Sequence, residues 1–291
     1  MGIEHVPVML RKVLEVLMVR ESGIYVDGTV GLGGHAEGIL RSVAGGCTLI
    51  GIDQDIEALK IAKKRLENYN VHLAKDDFSN MESVVKDFGY KKADGILLDL
   101  GVSSLQFKTE GRGFSFLKDE PLDMRMDRDQ ELTAANIVNE YSESDLAHVL
   151  WQYGEERFSR RIARAVIAAR AKKPVETCRE LSRIIERTVK RKGRIHPATR
   201  TFQALRIEVN KELTRLTTAM NAGMNLLRAG GRFCVLSYHS LEDRIVKHSF
   251  KEMAHEGIVT IITKRPLVPE KEELCSNPSS RSAKLRVAEK L

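Results

Sequence analysis

Short apolar runs alternate with segments of helical spacing over the first hundred residues. Residues 23–27 (GIYVD), 47–53 (CTLIGID), 71–74 (VHLA) and 95–100 (GILLDL) are rich in aliphatic and β-branched side chains, which predicts four strands. Between them, residues 35–43, 56–69 and 81–88 read as helices. In 56–69, Ile56, Leu59, Ala62 and Leu66 form one apolar stripe, and Lys and Arg cover the outer face. Repeated βα units predict a parallel sheet with helices on both faces, and such sheets bind ligands at the carboxyl ends of their strands.

The pattern then changes. Residues 101–130 are a loop rich in Gly, Asp and Arg, and from Ser142 to Met224 the chain reads as helix. Ser142 with Asp145, and Thr177 with Glu180, have the spacing of N-terminal caps. Phe158, Ile162, Ala165, Val166 and Ala169 make one apolar face; Phe202, Leu205, Val209, Leu213, Leu216 and Met220 make another, on a helix that His196-Pro197 can start. Strand character returns at 231–236 (GRFCVL), a helix follows at 241–253, and 257–263 with 282–287 read as a closing hairpin with a long connection. The reading is one α/β domain, residues 1–107 and 211–291, interrupted by a helical insertion at 108–210.

A composition of 42% hydrophobic and 30% charged residues permits a buried core. No apolar run approaches the ~18 residues of a membrane span. The first ten residues lack the charge pattern of a secretory signal, because Glu4 stands where positive charge belongs. Cys47, Cys178, Cys234 and Cys275 are far apart, without the spacing of a zinc site or a disulfide framework. These features predict a cytoplasmic protein with reduced thiols and no membrane contact. The net charge of +7 is unevenly spread. Residues 157–206 hold 16 Lys/Arg against three acids, whereas 108–156 hold five basic residues against 12 acids. That density favours nucleic-acid contact over a merely solvated face. The candidate phosphate contacts are Arg160, Arg161, Arg164, Arg170, Lys172 and Lys173, with the Lys190–Arg194 cluster around Gly193.

The first strand runs into Asp27-Gly28-Thr29-Val30-Gly31-Leu32-Gly33-Gly34-His35. Glycines at a strand-to-helix junction let a ligand approach the backbone closely. The second strand ends in Asp53, positioned to accept hydrogen bonds from ribose hydroxyls. Loop and acid together predict an adenosine-containing cofactor. The glycines do not follow the dinucleotide spacing G-x-G-x-x-G, and Gly-Lys-Ser/Thr of a phosphate-binding loop is absent. Phe78, after the third strand, can stack on adenine. Asp99, ending the fourth, is placed to accept a proton from a methylated amine or to hold the cofactor's amino-acid end. The set suits S-adenosylmethionine better than a dinucleotide. No metal-ligand spacing occurs.

Several further segments are long and unusual: 5–10 (HVPVML), 27–35 (DGTVGLGGH), 113–116 (GFSF) with 121–127 (PLDMRMD), 196–200 (HPATR) with 202–206 (FQALR), 237–244 (SYHSLEDR) and 277–286 (NPSSRSAKLR). In these the chain resembles, over essentially its whole length, the RsmH (MraW) family of bacterial 16S rRNA cytosine-N4 methyltransferases. The resemblance implies a class I S-adenosylmethionine-dependent methyltransferase fold, Rossmann-like, with a mostly parallel sheet and an inserted helical domain. It implies N4-methylation of a cytidine in the decoding region of 16S rRNA, with the small ribosomal subunit as partner. It implies cofactor contacts at Gly33, Gly34, His35, Asp53, Phe78, Asp99 and Gln106; the residues alone gave no reason to choose Gln106 and no specific role for His35. Oligomeric state is left open, a homodimer being one alternative.

Many amino-group methyltransferases carry Asp/Asn-Pro-Pro-aromatic after the fourth strand, where this chain has Asp99-Leu100-Gly101-Val102. The target base must then be gripped elsewhere. Candidates are the 111–127 loop and Ser237-Tyr238-His239-Ser240, in which Tyr238 can stack on the base and His239 can hydrogen-bond to it. Competing readings are a Rossmann oxidoreductase, a non-catalytic RNA-binding or ribosome-assembly factor, and a DNA amino-methyltransferase.

Overall fold

The structure, a computed structural model, describes residues 6–189 and 195–291. The chain forms two compact units, Met1–Ser103 with Leu213–Leu291, and Ser104–Glu212. In chain order the first unit opens with α1 (Leu10–Leu17), β1 (Ile24–Asp27), α2 (Gly34–Ser42), β2 (Thr48–Asp53), α3 (Ile56–Arg65), β3 (Val71–Lys75), α4 (Met81–Asp87) and β4 (Ala93–Asp99). The second unit supplies α5 (Ser104–Lys108), α6 (Ala134–Glu140), α7 (Glu143–Gly154), α8 (Ser159–Arg170), α9 (Cys178–Thr188) and α10 (Thr199–Asn210). The chain then runs through α11 (Glu212–Leu226), β5 (Leu227–Ser237), α12 (Ser240–His255), β6 (Val259–Ile261), α13 (Lys271–Ser276) and β7 (Lys284–Lys290).

The seven strands are ordered β3-β2-β1-β4-β5-β7-β6. The first five pair in parallel, and β7 is antiparallel to both β5 and β6. This order, with one reversed strand between β5 and β6, is the class I methyltransferase fold, and the expected closing hairpin is the β6–β7 pair. Successive side chains of a strand point to opposite faces, and the core divides accordingly. Ile96, Leu98, Phe233 and Val235 face a layer with Met81, Val84, Leu216, Met220, Val246 and Phe250 from α4, α11 and α12. Leu97, Cys234 and Leu236 face the other layer, with Val13, Leu17, Ile39, Leu40, Leu59 and Ala62 from α1, α2 and α3. Each such fully buried aliphatic or Phe side chain stabilises the fold by ~1.5–3 kcal/mol. Both faces are covered, which is why the strands read as apolar runs rather than alternating ones.

In the second unit, the Ser142 hydroxyl accepts the Asp145 N–H at 3.1 Å. Thr177 and Glu180 close a reciprocal capping box. The helix expected to start at Pro197 instead starts at Thr199, with Ala198 as its N-cap. The apolar face expected to run from Phe202 to Met220 is broken into two helices at Lys211, whose φ of 50° ends α10. Asn210 makes the break worthwhile. Its Oδ1 accepts the Met126 N–H at 2.8 Å, and its Nδ2 donates to Met124 O and Arg206 O, both at 2.8 Å. Cys47, Cys178 and Cys234 are buried and Cys275 is exposed, all as free thiols. Among the described residues no helix is long and apolar enough to cross a membrane.

Candidate active site

The turn after β1 is fixed by its own backbone. Gly28 N–H donates to Leu97 O, Val30 N–H to Ile52 O and Gly33 N–H to Val30 O, at 2.7–2.9 Å. Gly31 (φ 50°) and Gly33 (φ 79°) occupy the left-handed region, where other residues are strained. At Gly28 the constraint is space: a Cβ there would lie 2.5 Å from the Leu98 side chain and 3.2 Å from Phe78 Cβ. Arg65 braces the turn from α3, donating to Leu32 O at 3.2 Å and to Glu37 at 2.9 Å. Gly33 is the N-cap of α2 and supplies no side-chain cap. The N–H groups of Gly34, His35 and Ala36 therefore point out of the helix start without intrahelical acceptors, a favourable setting for an anion.

Three carboxylates stand at the strand ends. Asp27 is 1% exposed; burial pushes its carboxyl up to about 7, with His35 pulling the other way. Asp53 Oδ2 accepts the Gly31 N–H and Oδ1 the Asp55 N–H, each at 2.8 Å. Burial raises the Asp53 carboxyl to about 6 against those bonds. The Asp99 N–H donates to Thr29 Oγ1 at 2.6 Å, its Oδ1 accepts the Tyr238 hydroxyl at 2.6 Å, and its Oδ2 lies 3.4 Å from His35 Nδ1. His35 Nε2 meets Val8 O at 2.9 Å. The imidazole thus joins the N-terminal segment to Asp99 from within the loop, and its side chain is turned into the protein rather than outward. A carboxylate offers about four lone-pair positions. Asp99 commits one of them to Tyr238 and keeps 17% of its side chain exposed.

Tyr238 and His239, expected to stack on and hydrogen-bond to a base, have other partners in this structure. The Tyr238 hydroxyl is committed to Asp99, and its titration is pushed well up by burial and then by the Asp99 charge. His239 caps α12: its Nδ1 accepts the Glu242 N–H at 3.4 Å, while Glu242 Oε2 accepts the Tyr238 and His239 N–H groups at 2.8 and 3.3 Å. What the sequence reading lacked was distance along the chain, since Tyr238 lies 139 residues from its carboxylate partner.

On the adenosine side, Phe78 opens a short 3-10 turn capped by Asp77, and its half-buried ring packs on the core layer of α4 and α11. Arg215 of α11 ties together the two loops that carry Asp53 and Phe78. It pairs with Asp77 Oδ2 at 3.0 Å and donates to the Gln54 side-chain carbonyl. Arg215 has no signature in the sequence beyond its charge.

Gln106 belongs to the second unit, on α5, and is buried. The 111–127 loop is a built part of that unit. Arg112 donates to Arg125 O and Met126 O, Gly113 N–H donates to Glu120, and Phe116 stacks on His196 at 4.5 Å between centroids. The basic residues divide. Arg170 is structural, donating to Val138 O and Tyr141 O, each at 2.7 Å, and Lys173 pairs with Glu176 and Glu180. Arg164 lies 3.5 Å from Glu143, and Arg161 donates to Thr188 O. Arg160 and Lys172 are exposed. The Lys190–Arg194 cluster lies outside the described residues. The sequence reading missed Arg179, Arg183 and Arg187, which form an exposed stripe along α9 at i, i+4 and i+8. Their spacing was the available signal.

Compared with known proteins, residues 2–291 match the MraW methylase family. Three curated relatives are each called Ribosomal RNA small subunit methyltransferase H. That of Caldicellulosiruptor bescii is 48% identical over 305 residues, covering 99% of both chains. That of Clostridium botulinum (strain Kyoto / Type A2) is 46% identical over 311 residues, covering 100% of both. That of Halothermothrix orenii is 45% identical over 309 residues, covering 99% of both.

Proposed function

The chain belongs to the MraW methylase family and uses S-adenosylmethionine, and from that premise we propose that it methylates the exocyclic N4 of a cytidine in the decoding region of 16S rRNA, acting on the small ribosomal subunit in the cytoplasm. The residues fit the cofactor. The open N–H groups of Gly34, His35 and Ala36 suit its carboxylate, and the exposed edge of Asp99 suits its ammonium. Asp53 has lone pairs left for ribose hydroxyls, and Phe78 with the loops joined by Arg215 suits adenine. Bound there, S-adenosylmethionine supplies a methyl group activated by its sulfonium.

The observation that carries the reading is Asp99. Its backbone is held by Thr29 and its carboxylate by Tyr238, with His35 beside it, at the end of β4, yet the carboxylate retains free acceptor positions. The cytosine amine is a weak nucleophile because its lone pair is delocalised into the ring. An acceptor on one N–H opposes that delocalisation and takes the proton lost as the N–C bond forms. A carboxylate already held in one orientation does this without reorganising. Tyr238 acts through Asp99 and is a positioning residue. The α9 arginines are assigned to backbone phosphates, whose neutralisation offsets the few kcal/mol needed to unstack the target.

The test uses purified protein, labelled S-adenosylmethionine and small subunits from cells lacking this enzyme, with the digested rRNA read by mass spectrometry. The expected product is a 4-methylcytidine nucleoside. Label in any other nucleoside, or none in rRNA despite cofactor binding, overturns the assignment.

A further inference from the structure

A groove of about 140 Å³ opens on the first unit among α12, β7 and the segment that follows β6. Phe250 and Ile261 give it an apolar floor, and Lys247, Lys251, Lys264 and Arg286 surround it; no acidic side chain lines it. The three lysines are exposed, and among the described residues they have no ion-pair partner. Arg286 is only 7% exposed and donates to Asp243 Oδ1 at 2.6 Å, while Lys284 donates to Oδ2 of the same carboxylate at 3.0 Å. One carboxylate therefore answers two cations, and nothing answers the lysines.

From this arrangement we infer that the groove binds RNA phosphates and holds the strand flanking the target nucleotide, separately from the basic helices of the second unit. The inference rests on the RNA-methylating reading above. Lys247 and Lys251 are one turn apart on α12, with Cβ atoms about 5–6 Å from each other, a spacing that serves neighbouring phosphates of a single strand. The apolar floor suits a ribose or base face between them. Position supports the same occupant: Arg286 pairs with Val235, two residues, or about 7 Å, short of the end of β5 at Ser237. Ser237 precedes Tyr238, the hydrogen-bond partner of Asp99. Lys247 and Lys251 lie seven and eleven residues from the start of α12 at Ser240, about 10 and 16 Å along its axis, so RNA held here flanks the target at a distance of a few nucleotides.

The full-length protein with Lys247→Glu, Lys251→Glu and Lys264→Glu tests this. The readout is affinity for naked decoding-region RNA and for small subunits from cells lacking this enzyme, between 50 and 200 mM salt, with S-adenosylhomocysteine binding measured alongside. The groove binding RNA predicts at least a tenfold loss of RNA affinity and a salt slope shallower by about two to three, at ~0.7–0.9 per phosphate. Cofactor binding is unchanged, and the triple Lys→Arg variant behaves as wild type. The triple Lys→Gln variant gives the same change of slope with a smaller loss of affinity, and decides the matter if charge reversal impairs folding. Wild-type affinity and slope in the Gln and Glu variants overturn the inference. So does a loss confined to assembled subunits, which would assign the groove to an acidic protein segment. If the wild-type protein binds RNA through these lysines but methylates no cytidine, the proposed function falls and the groove stands. If it binds neither naked RNA nor small subunits, both fall.

Discussion

Asp99 and Asp27 lie in one cluster and respond to opposite demands. Asp99→Ala removes the proton acceptor, and methyl transfer in a single turnover is expected to fall by about 10²–10⁴, with RNA binding retained; a wild-type rate removes Asp99 from the mechanism. Asp27 is a stability matter. Its carboxyl, raised to about 7 chiefly by burial, holds a proton more tightly in the folded than in the unfolded chain. Between about pH 4 and 7 the folded state therefore carries more protons, and stability falls as pH rises through that window. Asp27→Asn cannot ionise and keeps an acceptor for the Thr29 N–H. Thermal unfolding of the ligand-free variant should show a higher midpoint than wild type at pH 8 and little difference near pH 4. An equal offset at both values would refute the titration argument. Asp53 and Asp99 were readable in the sequence because a strand end is a local pattern. The Asp99 partners were not, because Tyr238 arrives from the end of β5 and His35 is steered by Val8 O.

At the scale of elements, α9 shows how a dense charge run hides its own order. Counting basic residues located the stretch, but the helical period sets Arg179, Arg183 and Arg187 on one exposed face of α9, whereas Arg170, at the end of α8, spends its guanidinium on backbone carbonyls. Replacing those three arginines by Glu should weaken RNA binding and lower the salt slope by about two to three, with S-adenosylhomocysteine affinity unchanged. A slope equal to wild type would mean that α9 does not touch phosphate. The capped starts of α7 and α9 were legible because Ser142 and Thr177 act on their own first turns. The break between α10 and α11 was not: the apolar spacing continues through it, and Lys211 takes its positive φ where Asn210 is tied to the backbone at Met124 and Met126.

For the molecule as a whole, the order of the sheet follows from connections that local pattern does not encode. The alternation of strand and helix up to Leu100 predicted the parallel half, yet nothing local to 284–290 says that this strand enters between β5 and β6. The groups that fit the cofactor through loop and strand-end contacts all belong to the first unit, so binding should stabilise that unit. At a hundred times its dissociation constant, S-adenosylhomocysteine is expected to add about 2.7 kcal/mol. Asp53→Ala should lose most of the resulting rise in melting temperature. A full rise in that variant would take the ribose contact away from Asp53.

The placement of β7 also governs the order of assembly. A chain made from its N-terminus has β1 to β5 in hand long before Lys284–Lys290 exists, and β5 then presents an unpaired edge to solvent. The N-terminal segment waits too, because the Met9 N–H is received by Glu273, 264 residues later, at 2.6 Å. Contacts of such separation make folding slow and leave the nascent sheet open to wrong pairing. A ribosome-stalled chain ending before β7 should therefore be cut by protease within β5, whereas the released full-length chain is protected there. The enzyme closes its first unit only once translation has reached its last strand.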